Sequence, residues 1–392
     1  MRYAAALLLL YGCASPMPSP LRDVPQSQGI DKFVSSLHTH RDINATVRPG
    51  EEPFVAAARA DLSNHFTGNG LQDSFGQYIS GEITSELRSF FIDEGMIITN
   101  KPLTEKPEIE LWPISSREKV EMELWGTSVK LERRILGDPI IKGRYEENGR
   151  EAWTLGTNSD SSSIETFSRN IQRQAASMYR QYQHLKDAFE NDELIRVEGV
   201  SVEYTVSQFM IYKAIKPLCE GTEEESVERI RRLIDNTLVI HEAAHALFHN
   251  DCKERSERFR GLYIFNAELV ARLTELRYAP KPSLVLGQQI ERAIQRPYGN
   301  TVDVGSLACG ATVNMTMNTA VANKEKLQHA DMSRFLKTRN IDDAFAELPE
   351  LTDAEIRQLA AAIVKGTYLK HDLPPAESFL KVIEEQEELM KE

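Results

Sequence analysis

Two histidines four residues apart, with a glutamate directly after the first, are the residues of this chain best suited to chemistry. They form the stretch His241-Glu242-Ala243-Ala244-His245. On a helix, both imidazoles lie on one face, one turn apart, where they can bind a single cation. Glu242 can reach the same side of that cation and act as a base. The spacing therefore predicts a site for one Zn²⁺ ion beside a catalytic glutamate.

A catalytic zinc site needs a third protein ligand, and two glutamates further along the chain are candidates. His249 continues the histidine series, but it lies about 12 Å from His241 along a helix axis, too far for both to share one tetrahedral ion. Residues 266–275 have the pattern of a helix on which Glu268 and Glu275 share a face. Two glutamates on one helix face can also simply be solvated, so spacing alone leaves the third ligand open.

The histidine motif and the later glutamates resemble the layout of the gluzincins, zinc peptidases of the thermolysin and membrane-alanyl-aminopeptidase type. In that family a helical glutamate follows the histidines by about twenty residues. The stretch Asn266-Ala267-Glu268-Leu269-Val270-Ala271 is similar to the family's NExxA or NExxS stretch, with one residue inserted after the asparagine. The likeness covers only about Val227 to Ala279. It departs from the family at Arg272, where many members carry an acidic residue that orients a ligand histidine.

The resemblance implies a zincin-like fold, with Glu268 as the third zinc ligand and Glu275 as an alternative ligand or a supporting carboxylate. It also implies a zinc metallopeptidase, in which Glu242 takes a proton from a metal-activated water and passes it to the leaving amine of a peptide or protein substrate. Two other functions stay open: a non-catalytic zincin-fold surface lipoprotein that acts as a binding module, and a zinc hydrolase of a non-peptide substrate in the cell envelope. The donor that stabilises the oxyanion is also open among Tyr263, Tyr278, Tyr298 and His329.

The N-terminus has the features of an export signal. Arg2 precedes a short apolar run, Ala4 to Leu10, which is too short to span a bilayer. The following Leu10-Tyr11-Gly12-Cys13 resembles a lipobox, the bacterial signal in which the cysteine is acylated. We therefore expect an exported protein that is anchored to a membrane of the cell envelope through lipidated Cys13. The Pro- and Ser-rich residues after Cys13 are typical of a tether.

Composition limits both the partners and the architecture of the chain. With 46 basic and 59 acidic residues among 392, the formal net charge is −13, which argues against nucleic-acid binding. The pattern predicts an α+β protein with four segments: a signal over 1–13, a linker over 14–53, an N-terminal α+β region of unknown role over 54–160, and a catalytic domain over 161–392. The catalytic domain is expected to be zincin-like and mostly helical, with a small antiparallel sheet upstream of the active-site helix.

Apolar periodicity predicts the elements around the site. Helical spacing predicts helices over Tyr78 to Asp93 and over Ile164 to Phe189, and β-prone residues predict strands within Val120 to Leu131. Alternation over Leu194 to Tyr212 predicts the pair of strands that forms the upstream sheet. Thr222 and Glu225 have the spacing of a capping box, which predicts the start of the helix that carries the histidines.

Overall fold

The computed structural model describes residues 85–101, 108–138, 156–160, 162–189, 200–248, 257–294 and 304–391. The chain divides into two compact units. The first unit comprises Met1–Arg117 and Ile135–Glu151, and the second comprises Glu118–Arg134 and Ala152–Glu392. The predicted signal, the linker and Cys13 lie outside the described residues, so these predictions stay predictions.

The first unit contains a helix followed by an antiparallel strand pair. Helix α1 spans Ser85–Asp93, strand β1 spans Met96–Lys101, and strand β2, which begins in this unit, spans Glu108–Leu124. Met96 is opposite Pro113 and Lys101 is opposite Glu108. The described part of the helix predicted over 78–93 is confirmed. It buries Leu87 and Phe91, because these residues lie four apart on one helix face.

The second unit contains a sheet in the order β2-β3-β5-β4. Strands β3, β4 and β5 span Thr127–Leu136, Gly156–Asp160 and Ser163–Phe167. The prediction of strands within 120–131 is confirmed, with a turn at Trp125 and Gly126 between β2 and β3. Both turn residues have positive φ, 54° and 79°, as a tight two-residue hairpin requires. The predicted domain boundary after residue 160 falls in the turn between β4 and β5, inside the second unit.

The prediction of strands over 194–212 is wrong for the described part of that stretch. Residues Val202–Ile215 form helix α3 instead, and the Ser201 side chain accepts the backbone N–H of Tyr204 at its N-terminus. Nearly every residue after Glu203 and Tyr204 is buried, so no polar face marks the period of 3.6 residues. The apolar alternation of the sequence therefore reflects a helix buried on all sides. An α+β protein is still what the structure shows, with its sheet earlier in the chain than predicted.

Two of the predicted helices are confirmed with adjusted boundaries. Helix α2 spans Ser168–Ala188. Residues 164–167, the first four of the predicted helix, belong to β5 instead. Helix α4 spans Glu223–Phe248 and carries the histidines. The predicted capping box is present: Glu225 N–H donates to Thr222 Oγ1 at 3.3 Å, and Thr222 N–H donates to Glu225 Oε2 at 3.1 Å. These bonds satisfy backbone N–H groups that the first helical turn leaves free.

The rest of the described chain is helical. Helices α5 to α11 span Glu257–Tyr278, Pro282–Ile294, Val304–Ala322, Ser333–Thr338, Ile341–Glu347, Asp353–Thr367 and Pro375–Leu389, and short 3₁₀ turns span Lys216–Cys219, Lys324–Lys326 and Leu348–Glu350. The end of α4 and the middle of α5 share a core with α10 and α11 that includes Phe248, Tyr263 and Phe379. Among the described helices, none combines the length and apolar character needed to cross a bilayer.

Candidate metal centre

Helix α4 packs against neighbouring elements on two sides near its histidines. Val239 and Ala243 pack against residues of β2, β3 and β5, while Ala244 and Phe248 pack toward α5, α10 and α11. Ala243 and Ala244 are fully buried, so their small side chains allow neighbouring elements to approach the helix closely. His241 and His245 lie on the face of α4 that is directed toward α5.

Three side chains converge between α4 and α5. Nε2 of His241 and Nε2 of His245 are 3.0 Å apart. Oε2 of Glu268 is 3.8 Å from the first of these nitrogens, and Oε1 of Glu268 is 3.6 Å from the second. A tetrahedral zinc ion with bonds of about 2.0–2.1 Å separates its ligand atoms by about 3.3 Å. The observed distances lie on both sides of that value, so the three groups could hold a metal ion with small adjustments.

Glu275 determines how His241 presents its ring. Oε1 of Glu275 lies 2.9 Å from Nδ1 of His241, and both side chains are almost fully buried. Nδ1 makes no hydrogen bond of good geometry within the described residues, so its contact with Glu275 is electrostatic. A negative charge at this distance favours the proton on Nδ1 and leaves the lone pair of Nε2 directed at His245 and Glu268. Burial by itself would raise the pKa of Glu275, but Arg272 and His241 hold it below its usual range. The carboxylate is therefore ionised.

The electrostatics of the cluster favour a positive charge between the rings. Burial opposes ionisation of Glu268, yet His245, His241 and Arg272 hold its pKa well below its usual range. Burial and Arg272 lower the pKa of His241, and the carboxylates of Glu275 and Glu268 more than offset them, so the net shift is upward. Oε2 of Glu268 is also buried without a hydrogen-bond partner among the described residues. Two imidazoles and a carboxylate, one oxygen of which makes no hydrogen bond within the described residues, fit a divalent cation.

Arg272 and Gln289 complete the support of the cluster, and neither role is evident from the sequence. Nη1 of Arg272 is 3.0 Å from Glu275 Oε1, and Nη2 is 3.5 Å from Glu268 Oε2. Nε2 of Gln289, on α6, donates to Glu275 Oε2 at 3.3 Å and to the Arg272 carbonyl at 3.2 Å. The sequence lacks an acidic residue at position 272 to orient a ligand histidine. In the structure Glu275, one helical turn later, faces His241 instead.

The turn between β2 and β3 lies against α5 beside these residues. The backbone N–H of Trp125 donates to the Tyr278 hydroxyl at 2.7 Å, and its indole N–H donates to Thr274 Oγ1 at 3.0 Å. The Trp125 and Tyr278 rings pack edge to face, 5.3 Å apart. An ion pair between Arg133 on β3 and Asp235 on α4 also joins the sheet to the histidine helix. The sheet thus restrains both helices of the cluster.

The predicted catalytic base is buried, and the predicted oxyanion donors differ in their contacts. Glu242 directly follows His241 on α4 and is almost fully buried. The Tyr263 hydroxyl donates to the Phe248 carbonyl at 3.1 Å, and the Tyr278 hydroxyl accepts the N–H from Trp125. Nδ1 of His329 is 3.3 Å from Glu355 Oε2, and Tyr298 lies outside the described residues. Tyr263 and His329 thus have other partners, whereas the Tyr278 hydroxyl acts as an acceptor in its contact with Trp125.

The structure brings His241, His245 and Glu268 together and places Glu275 behind His241. Both glutamates left open by spacing therefore have distinct positions, one beside the two Nε2 atoms and one behind a ring. No family model matches the chain, and neither the curated proteins nor the solved structures contain a match to it. The function of the cluster must accordingly be inferred from its own side chains.

Proposed function

We propose that the protein is a zinc-dependent hydrolase that cleaves peptide bonds, with His241, His245 and Glu268 as the metal ligands. The observation that carries this proposal is the convergence of these three side chains, with ligand atoms all within 4.8 Å of one another. Three protein ligands leave a fourth position for water or substrate, which is the arrangement of catalytic rather than structural zinc sites.

A zinc ion bound by these ligands would supply Lewis acidity toward a water molecule and toward a substrate carbonyl. The chain's own residues do the remaining work. Glu242 is positioned by α4 one residue after His241, so its carboxylate accepts the proton of the attacking water and later donates it to the leaving amine. Glu275 keeps the proton of His241 on Nδ1, so that Nε2 stays available as a ligand. Glu242 and Glu275 are both buried, so bulk water competes little for hydrogen bonds with their carboxylates.

A peptide substrate is supported by the placement of β4. This strand is the last in the sheet order of the second unit, and it packs against α4. Its only hydrogen-bonded neighbour in that order is β5, so one edge is open to strand addition within the described part of the chain. An extended peptide that adds to such an edge is held by backbone hydrogen bonds, whatever its side chains. Export and lipid anchoring through Cys13 remain predictions from the N-terminal motif.

Metal analysis and one conservative substitution test the proposal. The purified full chain should hold about one zinc ion after dialysis, and Glu242→Gln should keep the metal yet lose cleavage of an unfolded protein substrate. Glu384→Gln removes an exposed glutamate from α11 and should retain both properties. A chain that takes up no zinc would refute the metal site. Full zinc occupancy without cleavage across a broad peptide library would refute the peptidase and favour a binding module or a non-peptide substrate.

A further inference from the structure

A buried arginine lies against the proposed metal ligands, where it places a positive charge beside a cation site. The Arg272 side chain is 17% exposed and contacts both carboxylates of the cluster. Its Nη1 lies 3.0 Å from Glu275 Oε1 and its Nη2 lies 3.5 Å from Glu268 Oε2. Its Nε is buried without a hydrogen-bond partner among the described residues. The guanidinium therefore bridges the metal ligand and the carboxylate behind His241.

The charges around Arg272 show what this bridge does. With both imidazoles neutral, as metal ligands must be, Glu268 and Glu275 contribute two negative charges and Arg272 one positive charge. The neighbouring Cys309 thiol adds no charge, because burial raises its pKa. A guanidinium stays protonated at any ordinary pH, so Arg272 cannot relieve the site by losing its proton. A dication that binds Glu268 must therefore share that carboxylate with a permanent positive charge.

We propose that Arg272 is a built-in counter-cation that competes with the metal for Glu268. In metal-free protein, the guanidinium contacts Glu268 and Glu275 together, offsets one of their two negative charges and stabilises their buried positions. When a dication binds, Glu268 turns its charge to the metal and Arg272 keeps Glu275 alone. Arg272 thereby stabilises the folded metal-free chain and weakens metal binding, which favours release of the ion. This inference rests on the proposed metal site.

The spacing on α5 supports such an exchange. Glu268 precedes Arg272 by four residues, the favourable direction for a helical ion pair, and Glu275 follows Arg272 by three. The planar fork of a guanidinium can contact both carboxylates at once, and one contact can be lost while the other is kept. The Arg272–Glu275 distance is the shorter of the two, and the Gln289 side chain holds Glu275 from the other side. The contact between Arg272 and Glu268 is thus the one that is lost when the metal binds.

Substitution by methionine separates this role from a merely structural one. Arg272→Met keeps much of the side-chain volume and removes the charge. We expect it to lower the unfolding temperature in the presence of a chelator and, in contrast, to tighten zinc binding by about tenfold or more. Zinc would then raise the unfolding temperature of the variant further than that of the wild type. Arg272→Lys keeps the charge and should leave the zinc affinity within about threefold of the wild type. Weaker or unchanged zinc binding in Arg272→Met would overturn the proposal.

A cycle in metal-free protein tests the ion pair without zinc. Unfolding free energies of Arg272→Met, Glu268→Gln and the double variant, measured in chelator, should show a favourable coupling between the two positions. If Arg272→Met does not fold, Arg272→Gln replaces it in the cycle, because glutamine also removes the positive charge but keeps a polar group at this position. Zero coupling would refute the role of Arg272 as a counter-cation but would not contradict the proposed metal site. Failure of the wild type to bind zinc would instead refute the proposed function, with the coupling in metal-free protein unaffected.

Discussion

Replacement of Glu275 by glutamine is the most direct test of how the cluster is held together. The carboxylate is almost fully buried, and it has three partners: His241 Nδ1 at 2.9 Å, Arg272 Nη1 at 3.0 Å and Gln289 Nε2 at 3.3 Å. Glutamine has nearly the same shape but no charge. The substitution therefore removes the electrostatic part of these contacts with little change in packing.

The expected magnitude follows from these contacts. The first two involve charged or polarised donors, and hydrogen bonds to charged groups contribute about 1.5–3 kcal/mol each. Glutamine keeps one uncharged acceptor oxygen, so about half of that sum of about 3–6 kcal/mol is lost, or about 1.5–3 kcal/mol of unfolding free energy. The upper end of this range meets the cost of about 3–5 kcal/mol for breaking a buried ion pair by removing one partner. Because His241 also loses the group that orients its ring, zinc affinity should fall by about 10- to 100-fold.

Two assays on the same protein measure these effects separately. Urea unfolding in the presence of a chelator, followed by circular dichroism, gives the stability of the metal-free chain. Competition with a chromophoric chelator gives the zinc affinity. Glu384→Gln, an exposed glutamate on α11, is the matched control and should change neither quantity. If Glu275→Gln bound zinc as tightly as the wild type, Glu275 would not position His241, and our account of the cluster would be refuted.

Substitution of Glu355 tests the pH dependence of the second unit, and substitution of Gly287, with Gly366 as the control, tests its packing. Burial alone would raise the pKa of Glu355, but hydrogen bonds, notably from Thr352, lower it from 4.5 to about 2. Solvent screens part of this effect, so its contribution to stability is at most about 3 kcal/mol. That contribution is complete above pH 4.5 and is lost as the pH falls toward 2, so the stability difference between wild type and Glu355→Gln should shrink over that range in urea unfolding; a constant difference would contradict this. A Cβ on Gly287 would lie 3.0 Å from Met210 Cβ, so Gly287→Ala should lower stability by about 1–3 kcal/mol. Gly366 has open space and its alanine variant should be neutral or slightly more stable in the same thermal unfolding assay, so equal losses in both variants would refute a tight contact between α3 and α6.

Features that depend on neighbours in the chain could be predicted from the sequence. The capping box of Thr222 and Glu225 and the shared helix face of His241 and His245 are set by spacings of three and four residues. Such spacings fix geometry because a helix repeats every 3.6 residues, whatever it packs against. The same local logic located the strands on either side of the Trp125 turn, where β-prone residues flank a glycine.

The structure of residues 202–215 could not be predicted in this way. Residues 202–212 belong to the longer stretch, Leu194 to Tyr212, whose alternation predicted strands. The distinction between a strand and a fully buried helix needs knowledge of the surroundings. Helix α3 packs against α2 and α6 and is buried on nearly every side, so apolar residues occupy all of its faces. The close approach at Gly287 is part of this arrangement and involves residues from two helices that are distant in sequence.

The sequence by itself determined that two imidazoles and a glutamate would lie on one helix, and that Glu268 and Glu275 would share the face of another. Only the tertiary structure decided between those glutamates. The packing of α5 against α4 brings Glu268 to the two Nε2 atoms and Glu275 to the far side of the His241 ring. It also places the Arg272 charge between them. Spacing within a helix fixes which residues share a face, whereas the position of that face against its neighbour depends on the packing of side chains across the whole interface.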